Sequence, residues 1–174
     1  MSTSFTGEDS LDISLDAGNA NGALAEFDTN ATVDVLKVDG VSYTFPVGDS
    51  MTVIVGDNTD GSALFTTACA YGGPSDTLDD CGNVNAVVDN GGAMAGAEYD
   101  FGNGFTAAIG YAGKETGLMT KGNVDGYGAN VAYSADNYGL SLTYGVLESG
   151  TDAVSYTHLR AHETKANIVC RLLL

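Results

Sequence analysis

Between residues 124 and 147, hydrophobic positions alternate with small or polar ones. Tyr127, Ala129, Val131 and Tyr133 are interleaved with Gly126, Gly128, Asn130 and Ala132. Tyr138, Leu140, Leu142, Tyr144 and Val146 are interleaved with Gly139, Ser141, Thr143 and Gly145. A period of two predicts strands with one apolar face and one small or polar face. Each apolar face carries a tyrosine near both ends. Tyrosine rings favour the two boundaries of a bilayer, so the pattern predicts strands that cross a membrane. The competing arrangement packs the same tyrosines in the core of a β-sandwich. Against it, the opposite faces, with Gly126, Gly128, Ala132, Ala108, Gly110 and Gly139, lack the charges that solvate a soluble sheet. They suit a lumen wall or a crowded backbone.

The same reading predicts seven strands, at residues 11–17, 33–47, 51–56, 93–101, 105–112, 124–134 and 138–147. The second contains Asp39-Gly40, a two-residue hairpin signal. A bulge there would instead keep one long strand. It would place Leu36, Val38, Val41, Tyr43 and Phe45 on one face and turn Lys37 to the other. The bulged strand is the expectation. Connections alternate between tight turns (Gly48-Asp49, Gly102-Asn103-Gly104, Ala135-Asp136-Asn137) and long polar segments at 18–30, 57–92 and 113–123. Short turns at one rim and long loops at the other are the habit of outer-membrane barrels. The expected fold is therefore all-β, an antiparallel up-and-down meander forming part of a transmembrane β-barrel. Its two ends, 11–17 and 138–147, should be open edges.

Aromatic residues fall at two levels along these strands. The girdle set is Tyr43, Phe45, Tyr99, Phe101, Phe105, Tyr111, Tyr127, Tyr133, Tyr138 and Tyr144. Phe45, Phe101, Phe105, Tyr133 and Tyr138 lie beside the short turns; Tyr111, Tyr127 and Tyr144 lie farther along their strands. A separation of about six residues in tilted strands gives roughly 15 Å between levels. The band between them should hold Val53, Ala107, Ile109, Ala129, Val131, Leu140 and Leu142.

Charge narrows the partners. The chain has 23 acidic and six basic residues, a formal net charge of −17. Nucleic acid is excluded as a partner on this balance, because phosphates need lysine and arginine. Anionic lipid surfaces are disfavoured for the same reason. No run of 18 apolar residues predicts a membrane-spanning helix. Mean hydropathy is near zero, as expected of alternating strands. A barrel needs export, yet no signal peptide opens the chain, which suggests truncation at both ends.

Residues 154–174 differ in kind. Val-Ser-Tyr-Thr-His-Leu-Arg-Ala-His-Glu-Thr, 154–164, resembles the translation of an adapter used in shotgun DNA sequencing, and Val-Cys-Arg-Leu-Leu-Leu, 169–174, resembles its far end. Such segments are set aside before fold reasoning. The chain is thereby divided into 1–153, the β-barrel part, and 154–174, a non-native tail expected to stand apart. This removes a decoy, since His158, His162 and Glu163 would share one helical face at metal-ligand spacing. No metal and no cofactor is expected.

Cys69 and Cys81 are the only cysteines outside the tail. They lie in a polar stretch without histidine, so a disulfide in an oxidising compartment is expected, with two unpaired thiols as the alternative. Residues 1–153 contain no histidine, and no nucleophile arrangement is present. Enzymatic activity is not expected. An alternative function is a secreted acidic β module for binding or adhesion. It would use calcium through Asp57, Asp60, Asp79, Asp80 and Asp89, although Asp57-Asn58-Thr59-Asp60-Gly61 lacks the closing glutamate of a full calcium loop.

Several stretches carry a resemblance: Thr-Ser-Phe-Thr-Gly-Glu-Asp-Ser-Leu at 3–11, Tyr-Thr-Phe-Pro-Val-Gly-Asp at 43–49, Tyr-Asp-Phe-Gly-Asn-Gly-Phe at 99–105 and Tyr-Gly-Leu-Ser-Leu-Thr-Tyr-Gly at 138–145. Together they are similar to outer-membrane porins of marine cyanobacteria, relatives of the carbohydrate-selective porins. The resemblance implies a fragment from the middle of a larger barrel, a trimer of about 16-stranded barrels, and localisation in the cell outer membrane. It implies a water-filled channel for passive diffusion of ions and small hydrophilic solutes, with outer-membrane lipid around it. Strand parity turns Asp12, Ser14, Asp16, Thr52, Met94, Glu98, Asp100, Thr106, Asn130, Ser141 and Thr143 toward the lumen. The charged members are all acidic, which favours cations. The long 57–92 segment is expected either to fold inward and narrow the lumen or to shield the outer rim.

Overall fold

The computed structural model describes residues 1–18, 35–66, 88, 91–114, 124–149 and 152–163, with only the backbone described at 149 and 152–163. These residues form one antiparallel sheet of nine strands in sequence order. The strands are β1 Ser2–Thr3, β2 Ser10–Asp16, β3 Lys37–Val47, β4 Met51–Asp57, β5 Ala93–Gly102, β6 Phe105–Gly113, β7 Asp125–Ser134, β8 Tyr138–Ser149 and β9 Asp152–Glu163. All seven expected strands are present. The sheet is open, running from β1 to β9.

Three expectations are corrected. First, β2 and β8 are not the edges: β1 pairs with β2, and β9 pairs with β8. Second, the chain after residue 153 does not stand apart. β9 continues the meander through twelve paired positions, from Ser149↔Asp152 to Tyr138↔Glu163. An unpaired strand edge offers a row of backbone donors and acceptors to any extended segment that follows it closely. A strand that continues the sheet runs against the expectation of a detached tail. Because 152–163 is a strand, His158, His162 and Glu163 do not share the helical face that their spacing would have given. Third, β3 starts at Lys37 rather than at residue 33. Its partner β2 ends opposite it at Asp16, so Val35 and Leu36 have no strand to pair with. Cys69 and Cys81 lie outside the described residues, as do Asp79, Asp80 and Asp89.

The Asp39-Gly40 question resolves as a bulge. β3 is unbroken, and the register shifts between Ser14↔Gly40 and Leu15↔Val38. Asp39 is the extra residue. The turn at 102–105 is instead set by Asn-Gly. Asn103 and Gly104 have φ of 55° and 84°, and Gly102 pairs with Phe105. Two consecutive positive φ values are what a two-residue hairpin needs to match strand twist, and asparagine and glycine tolerate them best.

The short-turn rim is stepped. The row through the first turn, Val47↔Met51, continues to Tyr99, Ala107, Val131 and Leu142. β8 begins four positions before Leu142, at Tyr138. At the long-loop rim, Gly113, Asp125 and Glu148 share one row. The strands accordingly lengthen from seven residues in β4 to twelve in β8.

Candidate functional site: two unlike faces and an inner strap

Alternation gives the sheet an aromatic face and a small-residue face. On β7 the two are separated residue by residue: Tyr127, Ala129 and Val131 are exposed, whereas Gly126, Gly128, Asn130 and Ala132 are buried. A soluble sheet has the reverse order, with its large apolar side chains inside. Here Ile109 is 64% exposed and Val131 54%. Leu140, Leu142, Tyr99, Phe101, Phe105, Tyr138 and Tyr144 are exposed on the same face. Val53 and Ala107 of the expected band are half-buried.

The girdle residues meet in groups. Tyr43 stacks on Phe45 at 5.3 Å, and Phe5 joins Tyr43 edge-on at 6.0 Å. Tyr99 and Phe101 are 4.8 Å apart, and Phe105, Tyr133 and Tyr138 form a chain at 4.5 and 5.8 Å. Tyr111 and Tyr127 pair at 5.3 Å. Phe45 and Tyr144, assigned to opposite levels, share one hydrogen-bonded row with Val53, Ala97, Ile109 and Ala129. The two levels therefore run obliquely to the rows, in step with the short-turn rim.

Tyrosine hydroxyls point away from the middle of the face. Tyr43 and Tyr111 occupy one row, through Val55 and Ala95. Tyr43 donates to Asp9 at 2.8 Å, toward the short-turn end. Tyr111 donates to Asp125 at 2.8 Å, toward the long loops.

The small-residue face is covered by the segment that follows β4. Its path is set locally. Asn58, at φ 52°, takes the left-handed turn out of β4. Its backbone N–H donates to Gly92 at 3.0 Å and its side-chain amide to the Asp39 carbonyl. Asp60 then accepts from the Ser62 N–H at 2.7 Å and the Ser62 hydroxyl at 2.6 Å. Asp60 thus builds the turn over Gly61–Leu64. It is not gathered with other carboxylates, and among the described residues no group of three His, Cys, Asp or Glu side chains is placed to hold a metal. Asp57 is exposed at the end of β4. Gly61 N–H donates to the Val88 carbonyl at 3.0 Å, tying the two described pieces of this strap together.

The strap rests on a lane of glycines. Gly96, Gly110, Gly128 and Gly145 stand in one row across β5 to β8. A Cβ on Gly110 would lie 2.1 Å from the Gly61 carbonyl oxygen. A Cβ on Gly128 would meet the Phe65 ring at 2.9 Å and Val88 at 3.1 Å. Toward the long-loop end, Val88 and Leu64 pack on Ile54, Met94, Ala112 and Leu147. Fully burying one such side chain contributes about 1.5–3 kcal/mol, so the strap is held by packing as well as by hydrogen bonds.

The lumen-facing set divides under this cover. Asn130 (1% exposed), Ser141 and Thr143 are buried, with the Asn130 amide donating to Thr143 Oγ1 at 2.8 Å. These three lie on the small-residue face, the face to which parity assigns them. Thr106 is half-buried, and its Oγ1, like Asn130 Oδ1, has no hydrogen-bond partner. Met94 belongs to the core. Thr52, Glu98, Asp12 and Asp16 are half-buried, and Ser14 and Asp100 exposed. Thr52 and Glu98 face each other across β4 and β5. Asp12 accepts from the Ser10 hydroxyl at 2.6 Å, Asp16 stands opposite Lys37, and Asp100 accepts from Gly102 N–H at 2.7 Å.

Asp9 is a second feature that sequence reading passed over. Its carboxylate accepts from the hydroxyls of Ser4, Thr6 and Tyr43 and from the N–H groups of Phe5 and Thr6. The Thr6 and Ser4 hydroxyls are the main reasons its carboxyl titrates far below the usual carboxylate range. The folded group is depressed, so its contribution is complete above about pH 4 and is lost as pH falls below that. Replacing Asp9 with Ala should raise amide exchange at Phe5 and Thr6 by roughly tenfold at neutral pH. Hydrogen-exchange mass spectrometry checks this; unchanged protection would mean that the segment is held by other contacts.

No family model matches the chain, and neither a curated protein nor a solved structure matches it. No helix among the described residues is long and apolar enough to cross a membrane.

Proposed function

We propose that this chain is part of an outer-membrane porin, a passive channel for ions and small hydrophilic solutes with a preference for cations. The observation that carries the reading is the inversion of the sheet. Its large apolar and aromatic side chains are exposed, and its small and polar ones are covered. Water does not stabilise a continuous apolar face of this kind, whereas lipid does. The stepped rim supports the same reading. Four residues of offset over five strand spacings correspond to a tilt of about 30°, near the range of closed barrels. Closure would leave no unpaired backbone in lipid, so the two edges of the described sheet imply further strands. By resemblance, the complete assembly is a trimeric barrel in the outer membrane of a marine cyanobacterium.

The strap fits the channel as a wall lining. It fills part of the barrel interior against the glycine lane, so solutes would pass along its free side. The channel forms and breaks no covalent bond; it offers a polar path whose width and charge select what passes.

The test is partition and conductance. Within the complete protein, the chain should fractionate with the outer membrane and resist carbonate extraction. Release as a soluble protein by osmotic shock would favour the secreted binding module instead.

A further inference from the structure

Resting on the channel reading, we propose that Glu98 alone among the wall carboxylates sets the preference for cations. The four candidates are placed very differently. Asp100 is exposed beside the Asn103-Gly104 turn and is held by the Gly102 N–H. It sits at the rim, where bulk electrolyte screens a fixed charge within about 8 Å at physiological salt. Asp16 stands opposite Lys37 across β2 and β3, so the pair contributes little net field. Asp12 is engaged by the Ser10 hydroxyl on β2, three strands away from β5.

Glu98 stands beside Thr66, at the described end of this part of the strap. Thr66, the last described residue of this part of the strap, places its hydroxyl 3.5 Å from Glu98 Oε2. That is a long hydrogen bond, which leaves the carboxylate able to face a passing ion. Glu98 is half-buried, and its neighbours in the row are Thr52 and Ala108. Neither carries charge, so its field is not cancelled locally. A carboxylate at the margin of a covered surface acts through less water than one at a rim. It therefore lowers the free energy of an approaching cation, and raises that of an anion, more strongly.

The experiment uses the complete porin that contains this chain, reconstituted in planar bilayers under a potassium chloride gradient. The reversal potential gives the cation-to-anion permeability ratio. Glu98→Gln should bring the ratio from several-fold to near one. The triple variant Asp12→Asn, Asp16→Asn, Asp100→Asn should leave it within a factor of about two. Thr66→Lys, which places a cation beside Glu98 without touching the wall, should abolish the preference as well, and it serves where Glu98→Gln fails to insert. A Glu98→Gln or Thr66→Lys channel with unchanged ratio, or a triple variant that loses it, would overturn this assignment while leaving the channel reading intact. A bilayer that stays silent with the unmodified complete protein would overturn the channel reading, and this inference with it.

Discussion

Gly110→Ala is expected to unseat the strap. The new Cβ would lie 2.1 Å from the Gly61 carbonyl oxygen and 2.9 Å from its carbon. Both are backbone atoms, so no rotamer change relieves the contact. The strap must lift by about 1 Å, and overpacking of this kind costs about 1–3 kcal/mol. The lift would also loosen the Gly61–Val88 hydrogen bond and the packing of Leu64 and Val88. Gly128→Ala makes a useful contrast. Its Cβ meets the Phe65 ring and a Val88 methyl at 2.9–3.1 Å, side-chain atoms that can turn aside, so it should cost about 1 kcal/mol or less. Gly48→Ala separates steric from conformational effects: nothing lies within 4 Å, but φ is +68°, which costs a non-glycine residue about 1 kcal/mol. Urea midpoints of the refolded chain in detergent, with limited proteolysis across residues 58–66, check the ranking. A Gly110→Ala protein with wild-type midpoint and wild-type protection would show that the strap is not seated on this lane. On the channel reading the same variant should also conduct less, because a strap lifted off the wall stands farther into the path.

The sheet was legible in the sequence because its information is local. Alternation over 125–134 and 138–149, the Asn103-Gly104 turn and the spacing of tyrosines each depend on neighbours within a few residues. The strap was less legible. Sequence patterning marked 57–92 as a long polar segment and left its direction open. What seats its described residues on the small-residue face is the alignment of Gly96, Gly110, Gly128 and Gly145, and this row exists only once the register of four strands is fixed. Each glycine alone reads as a weak strand position; the four in register read as a seat. The burial of Asn130, Ser141 and Thr143 was hidden for a related reason. Parity assigns a face, but it cannot say what lies on that face. Asp9 did leave a local trace, since Ser4, Thr6 and Asp9 are the residue types that build side-chain-to-backbone turns. Its bond to Tyr43, 34 residues away, had none. The pairing of 152–163 with β8 came from outside the pattern altogether, because an open edge accepts any extended neighbour.

Charges placed on the aromatic face should separate a membrane strand from a soluble one most sharply. Ile109 and Val131 are well exposed and stand two rows apart on one face of the neighbouring strands β6 and β7. In a soluble protein, exposed positions of this kind accept arginine with changes within about 0.5 kcal/mol, and solubility improves. On a lipid-facing strand the same arginine costs about 2–4 kcal/mol near the bilayer midplane and much less near the interfaces. Ile109→Arg with Val131→Arg together should therefore abolish refolding into lipid vesicles. The cost should fall along the strand: Phe105→Arg, beside the short turn, should be tolerated far better than Ile109→Arg. A depth series of single arginines at Phe105, Ala107, Ile109 and Tyr111, scored by protease protection in vesicles, gives the profile. A cost peaking at Ile109 and declining toward both ends is expected. A flat profile near zero would mean that water, not lipid, covers this face, and the β module would then have to hide its apolar surface against another protein.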